Sequence, residues 1–251
     1  MARYETVGTI VNRVLPSIGL DPVQDIFTGS VESKQMSVLA TVAGRELLAL
    51  YDWEVLQREH TITTQQTDTG KYELPDDFDR IIDITGWSRD QRVPLPGSVS
   101  PQTWQYLKGR NLVSSTIYMV FREVEGQFWV YPQPPDSNVP SPLTIAFEYI
   151  SRGFVIDADT VGDPNPTYQD EFKKHGDKCL FPPITLEKLV KLRFREARGM
   201  DTSAAMQEWQ LMISQAMGHD TAAYTINAAG ARAPYPYLDP WRNAPDTGYG
   251  A

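Results

Sequence analysis

Residues 47–67 read Leu47-Leu48-Ala49-Leu50-Tyr51-Asp52-Trp53-Glu54-Val55-Leu56-Gln57-Arg58-Glu59-His60-Thr61-Ile62-Thr63-Thr64-Gln65-Gln66-Thr67, and within them the chain changes its hydrophobic period. On the N-terminal side apolar residues recur every three or four positions. Met36, Leu39, Ala43, Leu47 and Leu50 form one stripe; Val38, Val42, Ala49, Trp53 and Leu56 form a second. That spacing predicts a helix from Val31 to Gln57 with Ser30 as its N-cap. Two stripes on one helix predict neighbours on two sides, as in a bundle or at a subunit contact. Beyond His60 the sequence is rich in Thr and Gln, and Asp68-Thr69-Gly70 marks a turn. A helical segment thus hands over directly to β-structure.

Upstream, Val7, Ile10, Val11, Val14 and Leu15 follow one helical face, and Pro16 should end or kink that helix. Downstream, Tyr72-Glu73-Leu74, Ile81 to Trp87 and Val93-Pro94-Leu95 read as strands. Ser100-Pro101 opens a short helix to about Leu107. Ile117, Met119 and Phe121 alternate, Glu125-Gly126 turns, and Phe128-Trp129-Val130-Tyr131 is an aromatic strand. Leu143, Ile145, Phe147 and Tyr149 then alternate with polar or small residues, the mark of a sheet with one buried face. Tyr168 to Leu180 reads as a further helix. After Pro182-Pro183, Thr185 caps a helix with Leu186, Leu189, Val190, Phe194 and Ala197 on one face, and Gly199 suits its C-terminal position. Asp201 or Thr202 caps a last helix with Ala205, Trp209, Met212 and Ala216 inward, ending at Gly218. The fold class that follows is α+β. A helical bundle is built from residues 1–59 and 157–229, a mostly antiparallel β-domain is inserted at 60–156, and an extended arm occupies 230–251.

The chain has 251 residues, 41% hydrophobic, enough to bury a substantial core. One cysteine excludes an intramolecular disulfide and, with three histidines, leaves little material for zinc. The net charge of −9 argues against a dedicated nucleic-acid binder, though not against a surface that DNA slides past. Only residues 173–198 are locally basic. The longest apolar stretch, Met36 to Trp53, is broken by Arg45, Glu46 and Asp52, so no membrane span is predicted. The N-terminus lacks the pattern of a signal peptide.

Chemical motifs are sparse. Asp157, Asp159 and Asp163 resemble the start of a calcium loop, but Val161 and Tyr168 stand where an EF-hand needs oxygen ligands. Asp76, Asp77 and Asp79 cluster without a nucleophile or histidine beside them. His60, His175 and His219 each stand alone, and Cys179 reads as a buried structural thiol. No Walker loop, G-x-S-x-G elbow, H-E-x-x-H or G-x-G-x-x-G is present. No cofactor or catalytic residue is predicted. Lys188, Lys191, Arg193, Arg195 and Arg198 share one helix with Glu187 and Glu196, either as a solvated face or as a surface toward a ring lumen or an acidic partner. The C-terminal segment sets Tyr235, Tyr237, Leu238 and Trp241 among four prolines, a composition suited to docking on another protein.

Three passages carry a family resemblance. They are Leu50 to Leu56 closing a long helix before a strand; Tyr72-Glu73-Leu74-Pro75-Asp76-Asp77-Phe78-Asp79-Arg80 leading to Trp87 and then Phe128 to Pro132; and the hairpin from Leu189 to Met212 with Gly199-Met200-Asp201 at its corner. In pattern and order they resemble the head-to-tail adaptors of short-tailed bacteriophages, the tail-tubular-A-like group. The resemblance implies a non-enzymatic virion protein, assembled in the host cytoplasm, that forms a dodecameric ring between portal protein and tail nozzle protein. Double-stranded DNA passes through such a ring. It further implies a β-domain facing the tail, with Trp87, Trp129 and Tyr131 as candidate tail-facing aromatics. Lys188, Lys191, Arg195 and Arg198 become candidate subunit or lumen contacts. An arm carrying Tyr235, Tyr237, Leu238 and Trp241 would dock on the portal.

Two other classes compete. One is a carbohydrate- or surface-binding β-module on a helical base, with Trp87, Trp104, Trp129 and Tyr131 as a stacking platform. The other is a hydrolase using Asp77 and Asp79.

Overall fold

The helix that carries the two stripes stops at Leu50 rather than Gln57. A computed structural model, which describes residues 4–65, 67–110, 119–133 and 142–220, places α1 at Val7–Ser17 and α2 at Val31–Leu50. Ser30 caps α2 as predicted, accepting from the Ser33 N–H, and Thr6 caps α1. The early stop has a local cause. The Trp53 indole N–H donates to the Leu47 carbonyl at 2.7 Å. The Arg80 guanidinium donates to the carbonyls of Leu48 and Tyr51, each at 3.1 Å, and pairs with Asp52. These donors satisfy carbonyls that a continuing helix would have used itself. A 3-10 turn at Glu54–Leu56 then leads into a strand, β2, at Gln57–Thr63.

The two stripes of α2 have different fates. In the first stripe Met36, Ala43 and Leu47 are buried and Leu39 is half-buried, but Leu50, at the helix end, is exposed. Within the second stripe Val38, Val42 and Ala49 are exposed, whereas Trp53 and Leu56, beyond the helix, are buried.

Among the described residues five α-helices and three antiparallel sheets are present. The first sheet joins β1 (Glu5–Thr6), β12 (Lys178–Cys179), β10 (Val155–Ile156) and β11 (Tyr168–Gln169). It ties the beginning of the chain to its last third. The second is centred on β9 (Thr144–Ser151), which pairs with all of β2, with β4 (Phe78–Ile81) and with β5 (Trp87–Ser88); β5 carries β6 (Val93–Pro94). The third runs β3 (Lys71–Glu73), β8 (Gln127–Tyr131), β7 (Val120–Val124). The helices α3 (Pro101–Arg110), α4 (Pro183–Ala197) and α5 (Ser203–Asp220) complete the fold, and α4 contacts α1, α2 and α5.

Two apolar clusters result. One gathers α1, α2, α4 and α5 with Trp53, Phe154, Phe172 and Phe181. The other lies between the second and third sheets, where Phe128 stacks on Phe121 and on Phe147 at 4.7 Å each.

Several predicted elements are corrected. Ile81 to Trp87 is not one strand: β4 ends at Ile81, the Ile82 N–H still donates to Glu148 of β9, and the chain then turns with Ile84 at φ +65° and returns as β5. α3 continues past Leu107 and Gly109 to Arg110. Tyr168 to Leu180 is not a helix but β11, a turn and β12. The buried Asp177 carboxylate accepts the backbone N–H groups of Lys173, Lys174 and Ala158, which replaces helical hydrogen bonding there. Thr185 does not cap α4. Pro182 holds that position, and the Thr185 hydroxyl donates to its carbonyl from inside the first turn. α5 runs through Gly218 to Asp220, whose carboxylate accepts from the Glu54 N–H at 2.8 Å. Ile117 lies outside the described residues.

Two contacts generate predictions. A Cβ on Gly44 would lie 2.2 Å from the Phe154 ring. Gly44→Ala is therefore expected to destabilise the fold by about 1–3 kcal/mol by overpacking, read as a fall in Tm. An unchanged Tm would show that the ring moves freely. The second contact is Asp77, which accepts from Arg58 at 2.8 Å, Tyr149 at 2.9 Å and Ser151 at 2.6 Å, linking β2 and β9. Burial alone would raise its pKa, but the Ser151 and Tyr149 hydroxyls and the Arg58 charge outweigh that and hold it low. A carboxyl with a depressed folded pKa stabilises the fold above its unfolded pKa of about 4, and that stabilisation is lost as pH falls through the folded value. Asp77→Asn should cost about 1–3 kcal/mol at neutral pH. The difference from wild type should shrink below about pH 4 in urea titrations across pH; a difference constant down to pH 2 would exclude this role.

Candidate interaction surfaces

Lys188, Lys191 and Arg195 recur at helical spacing along one side of α4, and Arg198 follows as its C-cap. The first three are half-buried, and Arg198 is exposed. Lys188 pairs with Glu208 of α5 at 2.5 Å. The hydrogen bond from Lys188, then the charges of Lys188, Lys191 and Arg195, hold the Glu208 carboxyl below its usual range. Arg198 lies 5.2 Å from the centre of the Phe194 ring. Arg193 points elsewhere: its guanidinium binds Glu46 of α2 at 2.7 Å and Glu196 at 2.5 Å. Lys191, Arg195 and Arg198 form no direct ion pair among the described residues.

The aromatic candidates divide. Trp129 and Tyr131 project from β8 toward Trp104 of α3, with ring centres 6.4 and 6.0 Å from it. The Tyr131 hydroxyl donates to the Leu107 carbonyl, fixing α3 on the sheet. Lys71 lies 4.2 Å from the Trp129 ring centre, and Lys108 lies over both tryptophans. Trp104 is buried and the rings are steeply tilted, so they present no flat stacking platform. Trp87 stands apart on the second sheet. It lines an open groove of about 390 Å³ with Glu59, Arg89, Arg92 and Phe147. The four aromatics of the carbohydrate reading are therefore not brought together.

The chemical candidates are occupied by structural contacts. Lys174 places its ammonium between Asp157 and Asp159, where a cation would sit in a calcium loop, and its hydrogen bond is the main cause of the lowered Asp157 pKa. Asp79 pairs with Arg80 at 2.5 Å, and Asp77 has its three donors. The Cys179 thiol is fully buried and pushed up to about 12 by burial. His60 stacks edge-on against Phe147, and burial lowers its pKa. His175 lies against Gly8 of α1, and His219 is exposed near the end of α5. Among the described residues no group of three His, Cys, Asp or Glu is placed to hold a metal ion, and no helix is long and apolar enough to cross a membrane.

The arm residues Tyr235, Tyr237, Leu238 and Trp241 lie outside the described residues. The second stripe of α2, read from the sequence as a face toward a neighbour, is exposed at Val38, Val42 and Ala49 and extends back to exposed Val31; exposed Leu211 on α5 was not singled out by the sequence. Leu211 carried a signal, since it falls off the inward stripe of α5.

No curated protein matches the chain. The model of the SU10 adaptor protein family matches residues 6–234, a span that takes in every helix and every sheet described above. With that much of its length matched, the chain belongs to the SU10 adaptor protein family, a family of phage structural adaptors rather than of enzymes.

Proposed function

We propose that this chain is the head-to-tail adaptor of a short-tailed phage. It forms a ring, dodecameric in this reading, between portal protein and tail nozzle protein at the head–tail junction of the virion, and the double-stranded genome passes through it without sequence-specific binding. The family match over residues 6–234 carries the reading. The charge supports it. At −9 the chain is poor in the cation clusters that would retain a polyanion in transit. A ring also needs two different complementary faces on each subunit.

Within this reading Lys191, Arg195 and Arg198 face the lumen or a neighbouring subunit, with Lys188 steadying that face through Glu208. The segment with Tyr235, Tyr237, Leu238 and Trp241 docks on the portal. Trp87, Trp129 and Tyr131 belong to the tail-facing side. Assembly takes place in the host cytoplasm.

The purified chain mixed with its portal protein should give a complex whose mass and projection images reveal a closed ring. A strict monomer that never joins the portal would sink the proposal. Deleting residues 230–251 should weaken portal capture at least tenfold, about 1.4 kcal/mol or more, while leaving Tm unchanged. Undiminished capture would take the arm out of portal docking.

A further inference from the structure

The outer face of the third sheet gathers cations around one ring. Trp129 of β8 stands opposite Lys71 of β3 on one side and Arg122 of β7 on the other. Residues paired across antiparallel strands share a face, here the one turned away from the Phe121–Phe128 stack. α3 adds Lys108. The Lys71 ammonium lies 4.2 Å from the Trp129 ring centre and the Lys108 ammonium 5.7 Å from it. Both lysines are exposed, and Arg122 is half-buried. None of the three forms an ion pair among the described residues.

That grouping is out of character for the chain. Acidic side chains outnumber basic ones by 32 to 23, and Arg13, Arg58, Arg80, Arg89 and Arg193 each find a carboxylate. Here like charges are gathered and no acid answers them. An exposed cation over a ring is held weakly and keeps N–H donors to spare.

The two lysines border a cavity of about 90 Å³, walled also by Trp104, Trp129 and Tyr131, and no acidic side chain lines it. The Trp129 indole N–H is given to Gln127 and the Tyr131 hydroxyl to the Leu107 carbonyl, which leaves the ammoniums as the charged donors. The cavity is smaller than the ~150 Å³ that holds a benzene ring, so a carboxylate fits where a sugar ring or a base does not. The basic area is also only one row deep. In the next row of the same face Glu73 stands opposite Gln127, and Glu125 follows in the turn between β7 and β8. A duplex lying on the sheet would carry its phosphates past both carboxylates. A single acidic side chain would not.

We infer that Lys71 and Lys108 bind the carboxylate of an acidic side chain presented by a tail component, with Arg122 adding to the field that attracts it. The inference rests on the reading above in which Trp129 and Tyr131 belong to the tail-facing side, and it names what that side recognises.

The test is capture of the tail nozzle protein by the full chain, alone and on its portal. A Lys71→Glu, Lys108→Glu variant, changed at two exposed positions and so expected to keep its circular dichroism spectrum, should bind the nozzle protein roughly tenfold more weakly or worse. The gap from wild type should narrow at about 0.5 M salt. Lys71→Arg, Lys108→Arg keeps the charge and should bind as wild type does. So should Lys34→Glu, Lys173→Glu, which makes the same change in net charge at exposed positions elsewhere. Undiminished capture by the Lys71→Glu, Lys108→Glu variant overturns the inference and leaves the adaptor reading intact. An equal loss in the Lys34→Glu, Lys173→Glu variant overturns it too, because net charge would then explain the effect. A duplex of about 30 base pairs is the competing polyanion: if wild type binds it, and reversal at Lys71 and Lys108 abolishes that while nozzle capture is unchanged, the site is one for DNA and the inference falls. If the nozzle protein never binds wild type, alone or on the portal, the adaptor reading falls first and this inference with it.

Discussion

An α-helix leaves its last carbonyls without partners, and in this chain the end of α2 abuts the sheets, so side chains must answer for them. Trp53 and Arg80 do so. A buried carbonyl left unmet costs about 1–3 kcal/mol, and here three are met by two side chains from different parts of the sequence. Trp53 does a second thing with the same ring. It packs edge-on against Phe181, which stacks on Phe154, and Phe154 fits only because Gly44 has no side chain. The direction in which the chain leaves α2, the shape of the aromatic core and the identity of one glycine are thereby fixed together.

Arg80 carries the same constraint into the sheets. It sits on β4, three residues after Asp77, so the segment that seals α2 also ties β2 to β9. The two apolar clusters are consequently not independent. Moving β4 would break the helix end on one side and uncover the Asp77 carboxylate on the other. Asp77 and Asp79, the pair that a hydrolase reading would use, are engaged in this joint: Asp77 with Arg58, Tyr149 and Ser151, and Asp79 with Arg80.

What could be read from sequence follows from which forces are local. The inward faces of α1, α2 and α4 were legible because amphipathic period reports burial directly. The Ser30 cap was legible because it acts over three residues. The end of α2 was not, since its decisive donor, Arg80, is some thirty residues away. The stretch from Tyr168 to Leu180 was misread because a single buried carboxylate, Asp177, captures backbone N–H groups that a helix needs. For the candidate surfaces, residue type was visible but position was not. Trp104 and Trp129 read alike as aromatics, yet one is buried beneath α3's own turn and the other is half-exposed on β8.

The same distinction governs charge. Residues 173–198 are the locally basic stretch of an acidic chain, and a count along the sequence suggests a polyanion site. In three dimensions half of those eight cations are paired within the molecule, Lys173 with Glu171 among them. Lys174 goes to Asp157 and Asp159, Lys188 to Glu208, and Arg193 to Glu46 and Glu196. These pairs are partly exposed and contribute little stability each, but they do cancel field. On α4, what remains without an ion pair among the described residues is the short run of Lys191, Arg195 and Arg198, beside an α5 that carries no lysine or arginine. Three cations on a surface that is otherwise acidic attract a polyanion weakly and release it as salt rises.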